Sequence, residues 1–464
     1  MLEIKLPDEV KYIIKTLENC GYEAYAVGGC VRDCLMGKSP KDWDICTGAT
    51  PEQTIKSFAD KRIIKTGLAH GTVTLMLENN AYEITTFRKD GIYKDNRHPE
   101  TVDFITDIKS DLARRDFTIN AMAYSPNKGI VDHFGGINDI EKKEISCVGE
   151  AEKRFDEDAL RIMRALRFSS TLDFKIHPKT SIAIIRKKNL LKNIATERIT
   201  TELNKLLIGI NAEKVLLEYS EILEIIIPEI SEMIGFEQHN PNHDMDVWKH
   251  TVKSISGAPQ DIISRITMLF HDMAKPVCFT FSNGKGHFYG HPKKSAEMAE
   301  TILRRLKYDN YTIQTVTTLV LYHDTEIICE EKQIKRWLNR LGEENFRRLI
   351  DIKKADATAH AKISRQTSLE KLEKVIDLTD KIIETKECFS LKELKINGND
   401  LQALGIPAGA EIGKMLTALL DVVIDEEIEN DRTALLKKAQ ELKQEKEIEK
   451  YEETDYERLF RCTN

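Results

Sequence analysis

Near residue 151 the hydrophobic period of this chain changes, and that change restricts the fold more than any other feature. Before it, short apolar runs alternate with turn residues. YAVGG reads as a strand entering a glycine turn; residues 72–77 (TVTLML) and 82–87 (YEITTF) read as strands separated by Glu78, Asn79 and Asn80. After it, as in EDALRIMRALRFSS, apolar residues recur at threes and fours, the spacing of one helix face. Helical periodicity continues to the end, where LLKKAQELKQEKEIEKYEETDYERL predicts a solvated helix with many i,i+4 pairs. The expected class is therefore α+β and multidomain: a head with a mixed sheet, then helices. A chain of 464 residues should hold several domains. The reading divides it into a head (1–140), a helical neck (141–215), a helical body (216–375) and a helical tail (376–464). Loops are expected at 90–100, 237–246, 282–292 and 405–410.

Composition removes several classes. No apolar run approaches a membrane span, and MLEIKLPDEVKYII lacks the basic start and apolar stretch of a signal peptide. The nine cysteines are scattered without a CxxC, against a zinc ribbon or a disulfide framework and in keeping with a reducing cytoplasm. The formal net charge of -7 means that any RNA contact must come from local basic clusters.

Asp42 and Asp44 lie in GGCVRDCLMGKSPKDWDICT. If WDI is a strand, residues two apart project from one face. Two adjacent carboxylates repel unless a hard cation lies between them, and Mg²⁺ takes such oxygens together with substrate phosphates. A bare DxD is also what a solvated turn provides. Its position argues otherwise: Gly28 and Gly29 stand upstream, where backbone amides can approach a phosphate, and Arg32 follows near a helix start.

GG-x-VRD-x-L-x-G-x-x-x-x-D-x-D resembles the signature of the polymerase-β nucleotidyltransferase superfamily, specifically the bacterial CCA-adding enzyme and poly(A) polymerase family, class II. Further matches follow in the family's order. RRDFTINAMAY (Arg114 to Tyr124) resembles its ribose motif and DHFGGINDIEKKEI (Asp132 to Ile145) its hinge motif. RFDEDALRIMRALRF (Arg154 to Phe168) resembles its base-recognition motif, and ATERITTEL (Ala195 to Leu203) the helix motif that follows. The resemblance implies a polymerase-β-like head, Mg²⁺ on Asp42 and Asp44, ribose and phosphate contacts from Arg115 and Asp116, and nucleotide contacts from Gly29 and Arg32. Glu83 fits its third acidic position, or is an exposed strand glutamate.

Without a nucleic-acid template, side chains must read the incoming base. Asp158 and Arg161, three apart in a helical reading, would share a face. A carboxylate accepts from the exocyclic amine of cytosine or adenine, and a guanidinium donates to ring nitrogen or carbonyl. Alone, such a pair is usually a surface salt bridge; EDxxR is the family's protein-template motif, which implies base reading here. Arg164 and Arg167 extend the helix as a cationic stripe suited to a triphosphate. KTGLAHGTVTL stands where the poly(A) branch carries a basic run of the kind GRRF, and so resembles the CCA-adding type. Arg88 to Phe104 resembles the flexible loop of enzymes that add all three nucleotides. The implied activity is CCA addition to tRNA from CTP and ATP, with no membrane or DNA partner. The alternatives are a poly(A) polymerase, a CC-only or A-only enzyme, or a metal phosphohydrolase with an RNA-binding head.

The middle of the chain is rich in histidine. His250, His271, Asp272 and Asp356 resemble the core ligands of the HD phosphohydrolase superfamily, and His291 and His323 its additional positions when two metals bind. Imidazoles with carboxylates suit a transition metal. An HD-type body implies either active hydrolysis or a degenerate scaffold. Lys335, Arg336, Arg340, Arg347, Arg348, Lys353 and Lys354 form a basic run that could hold RNA phosphates or simply face solvent. Ile396 to Leu416, with its turn at Gly405, Pro407 and Gly409, resembles the family's C-terminal element.

Overall fold

The structure, a computed structural model, describes residues 3–445 except 69–70, 79, 92–100 and 242–243. Among the described residues the head is built on nine strands: β1 (Ala24–Val27), β2 (Ile45–Thr47), β3 (Arg62–Ile64), β4 (Thr72–Leu77), β5 (Asn80–Thr86), β6 (Arg88–Asp90), β7 (Val102–Phe104), β8 (Met122–Ser125) and β9 (Gly129–Asp132). Seven form one sheet in the order β3-β4-β5-β2-β1-β8-β9, while β6 and β7 form a separate ribbon. Only β2 and β5 pair in parallel within the large sheet, so it is mixed as expected.

Every residue of β1 is buried, which is why AYAV is continuously apolar rather than alternating. The helix Asp8–Asn19 buries Val10, Ile13, Ile14 and Leu17, one stripe at helical spacing, in the core that also holds Ala24, Ala26, Ile45 and Ile84. The turn between β4 and β5 is tighter than expected: Glu78 takes φ 47° and Asn80 already belongs to β5. Asn79 lies outside the described residues, as do Ala69 and His70 of KTGLAHGTVTL and residues 92–100 of the expected flexible loop.

From Phe117 to Ile382 a single apolar cluster runs through the neck and body helices, so these two regions share one core. The tail has its own cluster, from Leu394 to Ala439. The tail helix over 432–445 was expected to be solvated, but Leu435 and Ala439 are fully buried in that cluster. Its Lys and Glu residues conceal a narrow apolar stripe; residues 446–464 lie outside the description. The expected loop at 282–292 contains part of a β-hairpin, Thr280–Ser282 against Lys285–His287. Among the described residues no helix is long and apolar enough to cross a membrane, and the cysteines are free.

Candidate functional site

Two clusters of chemically useful side chains emerge, one where head meets neck and one inside the body. In the head, β1 ends at Gly28, whose φ of 81° favours glycine and whose would-be Cβ lies 3.0 Å from Arg115 Nη1. The helix Gly29–Leu35 starts there and carries Arg32. Asp42 and Asp44 are exposed and precede β2 in extended backbone, rather than lying within a strand. The Val27 amide donates to Asp44 O at 3.0 Å, tying this segment to the end of β1 beside the glycine turn. Although Asp44 reaches solvent, desolvation raises its carboxyl pKa; Arg115 opposes the rise and Asp42 adds to it. That last contribution is the repulsion expected between the two acids. β2 and β5 pair with Ile45 opposite Ile84, so the next pair outward in the parallel register is Asp44 and Glu83. Glu83 is exposed, on the opposite face of β5 from buried Ile84. Glu83 thus stands on the strand beside the segment that carries Asp44.

Behind the acids, arginines from head and neck gather around one phenyl ring. The guanidinium carbons of Arg32, Arg164 and Arg167 lie 5.2, 5.4 and 3.9 Å from the Phe168 ring centroid. Each also has an acidic neighbour. Arg32 donates to Asp33 Oδ1 at 2.7 Å, Arg164 Nε donates to Asp116 Oδ2 at 2.8 Å, and Arg167 Nε stands 3.0 Å from Glu202 Oε2. Asn120 joins the two parts: its Nδ2 donates to Asp116 Oδ1 at 3.2 Å and its Oδ1 accepts from Arg32 Nη1 at 2.7 Å. Burial disfavours the Asp116 anion, but the Arg164 charge and these hydrogen bonds prevail and hold its pKa at about 2. Burial instead lowers Arg167 to about 10. Buried Nε atoms of Arg115 and Arg167 and Nη1 of Arg198 make no hydrogen bond among the described residues. Such unsatisfied donors are costly unless an anion uses them.

Asp158 and Arg161 do not share a helix face. The helix Ala151–Glu157 ends at Asp158, which is extended (φ −140°, ψ 102°), and a new helix runs Leu160–Leu172. A carboxylate that accepts the Leu160 amide at 3.1 Å competes with continuous helix, and the chain breaks there. Asp158 instead pairs with Arg198 at 3.1 Å. Arg161 is buried; it donates to Glu157 at 2.6 Å and to the carbonyls of Arg154 and Arg114 at 3.1 and 2.9 Å. The sequence reading missed Asn120, Phe168, Arg198 and Glu202. Asn120 lies within RRDFTINAMAY and Phe168 closes the arginine stripe, but nothing local indicated that they would meet.

In the body, His250 lies on Val247–Gly257, His271 and Asp272 follow Ile262–Phe270, and His291 opens His291–Arg305. His323 follows Asn310–Tyr322, and Asp356 lies near the end of Glu331–Ala359. All six converge. His250 Nε2 lies 2.8 Å from Asp356 Oδ1 and 3.4 Å from His271 Nε2, and His291 Nε2 lies 3.3 Å from His323 Nε2. Asp272 lies between the pairs, with Oδ2 at 3.2 Å from His271 and Oδ1 at 3.3 Å from His291. The Nδ1 atoms of His271, His291 and His323 face the carbonyls of Met268, Phe288 and Val320 at 2.7, 2.8 and 2.7 Å. Carbonyls only accept, so each Nδ1 carries hydrogen, and in the neutral ring the Nε2 lone pair is the one turned inward; despite burial, Asp272 and Asp356 beside it raise the His271 pKa to about 10. Facing lone pairs at such distances call for a cation between them. Asp272 Oδ2 is buried with Lys275 Nζ at 2.7 Å and His271 Nε2 at 3.2 Å but no aligned hydrogen bond, and burial notwithstanding, a protonated His271 and Lys275 hold its pKa well below the carboxylate range. The donor set therefore fits metal, with ligand-competent groups in His250/His271/Asp272 and in Asp272/His291/His323. Two neighbours escaped the sequence reading: Lys275, whose Nζ lies 2.7 Å from Asp272, and His360, 3.5 Å from Asp356 and four residues beyond it.

Most charges of the basic run are paired with acids in this structure. Lys335 pairs with Glu387, Arg336 with Asp425, Arg347 with Asp380, Arg348 with Glu344 and Lys354 with Glu373. Arg340 covers Tyr322 and Trp337, and half-buried Lys353 donates to His323 O at 2.6 Å. A non-helical residue, Gly342 (φ 73°), divides the run, and its charges bind tail and body together.

Residues 24–146 match a family described as Poly A polymerase head domain. Residues 173–234 match one described as probable RNA and SrmB-binding site of polymerase A, and 290–439 one described as tRNA nucleotidyltransferase domain 2, putative. The CCA-adding enzyme of Lactococcus lactis subsp. cremoris (strain MG1363) is 32% identical over 458 residues, covering 96% of this chain and 99% of that protein. That of Levilactobacillus brevis (strain ATCC 367) is 33% identical over 440 residues, covering 93% and 98%. The crystal structure of the Bacillus stearothermophilus CCA-adding enzyme in complex with CTP superposes with a TM-score of 0.69 at 28% identity, covering 96% of this chain and 100% of that one.

Proposed function

The chain belongs to the bacterial class II CCA-adding enzymes, and on that premise we propose that it completes tRNA 3′ ends with C, C and A from CTP and ATP at the junction of head and neck. The observation that carries this siting is the gathering of Arg32, Arg164 and Arg167 on Phe168 beside Asp116 and Asn120. The tRNA 3′-oxygen attacks the α-phosphorus in line, the bond to the β-phosphate bridging oxygen breaks, and pyrophosphate leaves. Mg²⁺ held by Asp42 and Asp44 would acidify the attacking hydroxyl and neutralise charge gathering on the phosphates. Gly29, Arg32, Arg115, Arg164 and Arg167 hold the triphosphate, and Asp116 accepts from the ribose hydroxyl. Asp158 and Arg161 read the base, for which Asp158 must exchange its partner Arg198 and Arg161 must turn from Glu157. The division into head, neck, body and tail follows the boundaries 140, 215 and 375. A tRNA substrate places the work in the cytoplasm.

The test is extension of tRNA lacking its CCA end, with each nucleotide alone and with CTP and ATP together. Growth by three nucleotides that then stops is expected. Addition of C alone, or a long A ladder, would overturn the assignment. The inward Nε2 atoms of the body favour a second activity: an HD-type metal phosphohydrolase acting on a phosphate ester. Its metal would activate water for attack on phosphorus.

A further inference from the structure

The cavity leading to the body's metal-ligand cluster is about 390 Å³ and has two chemically distinct walls. Asp272, His291, His323 and Asp356 form the inner wall. The outer wall is formed by His287 and Tyr289, at and just beyond the end of the β-hairpin. Their rings are stacked, 5.3 Å apart and 5° from parallel, with Tyr289 Oη 3.3 Å from His287 Nδ1. Tyr289 is 75% exposed even so, the largest exposure among the exposed large hydrophobic side chains of the described residues. A tyrosine fixed on one face by a partner ring and open on the other costs free energy in water and offers a flat surface to a ligand. The ring is also held in place. Its neighbour Phe288 is packed against Phe279 at 5.6 Å and lies 5.3 Å from Lys275 Nζ, and Gly290 (φ 77°) turns the chain directly into His291.

We propose that Tyr289, backed by His287, is the stacking platform for the base of a nucleoside phosphate whose phosphate faces the Asp272 cluster. The inference rests on the reading of that cluster as a metal centre and specifies its ligand class: nucleotides or RNA ends rather than small phosphate esters. The volume suits one nucleotide, within the range of small-molecule pockets. A metal held by the inner wall, with Lys275 beside it, would supply positive charge for the phosphate at one end, while a planar ring at the other takes any base, because every base has a π-face. Tyr289 thus acts as a specificity residue that binds without touching the reacting atoms.

The experiment measures equilibrium binding of guanosine 5′-monophosphate and of inorganic phosphate to the Mn²⁺-loaded full chain. Guanine is used because the head is read as selecting C and A. Tyr289→Ala should weaken the nucleotide about tenfold, on the order of one stacked base, and leave phosphate binding unchanged. Tyr289→Phe should restore nucleotide affinity, because the ring and not the hydroxyl is required. Equal affinity of wild type and Tyr289→Ala for the nucleotide, with both ligands lost in Asp272→Ala, would overturn the platform alone. If wild type binds neither ligand, or Asp272→Ala binds both normally, the metal-centre reading falls and the platform with it.

Discussion

Asp42 and Asp44 stand exposed at the lip of the head, whereas His250, His271 and Asp272 are at most 1% exposed inside the body. A cation on the first pair would have most of its coordination shell left for substrate oxygens, and the arginines behind that pair are already paired with Asp33, Asp116 and Glu202. The second group would supply most of a metal's shell from side chains on several helices, with imidazole tautomers set by backbone carbonyls and a position left toward the cavity. A site completed by its substrate suits Mg²⁺, which keeps water and phosphate ligands; one held mostly by the protein suits a metal retained between turnovers. The difference predicts that the head takes its metal with the nucleotide, while the body carries its metal through purification.

The strongest way to break this comparison is Asp44→Ala. It should reduce nucleotide addition by about 10³-fold or more while leaving the transition-metal content, measured by elemental analysis, unchanged. Loss of the retained metal in that variant would show that the two sites are not separate. Next, Asp272→Ala should lower body metal affinity by about 100-fold, read by competition with a chelating dye, and leave CCA addition intact. A smaller effect separates the two residues of EDxxR. Asp158→Ala should relax discrimination between CTP and UTP by roughly tenfold, the worth of one base contact, in single-nucleotide addition assays. Arg161→Ala should in addition lower stability by about 1–3 kcal/mol, because Glu157 and two carbonyls lose a buried donor; an unchanged melting temperature would argue against that anchoring.

The smallest effect concerns pH. Asp116 has a folded pKa of about 2 against 3.8 for the free group, so its contribution is fully present above 3.8 and is lost as pH falls through about 2. The pair with Arg164 should add no pH dependence near neutrality. Asp116→Asn should flatten the acid limb of unfolding by about 2 kcal/mol; an identical acid limb in chemical denaturation would contradict that.

Much of the head was legible because its constraints are local. β4 and β5 alternate over a visible turn, and the spacing between Gly28, Arg32 and Asp44 brings a glycine turn, a helix and an extended segment together. The body's ligands could be named by residue type and order, yet their geometry comes from helices up to 106 residues apart, as with His250 and Asp356. Partner choice was not legible. Helical spacing placed Asp158 beside Arg161, but a capping hydrogen bond broke the helix between them. Charge clustering over 335–354 suited RNA phosphates or solvent alike, and the acids distant in sequence that pair with it were not visible locally.

By itself the sequence determined the mixed head, the helical remainder and the kinds of chemistry available, because backbone period and side-chain type act over a few residues. Only the tertiary structure decided which charges are satisfied, which way each histidine lone pair points, and which aromatic ring remains open beside the body cluster. Ion pairing, tautomer and exposure are settled by groups that the chain brings together from far apart, and short-range pattern carries no record of those meetings.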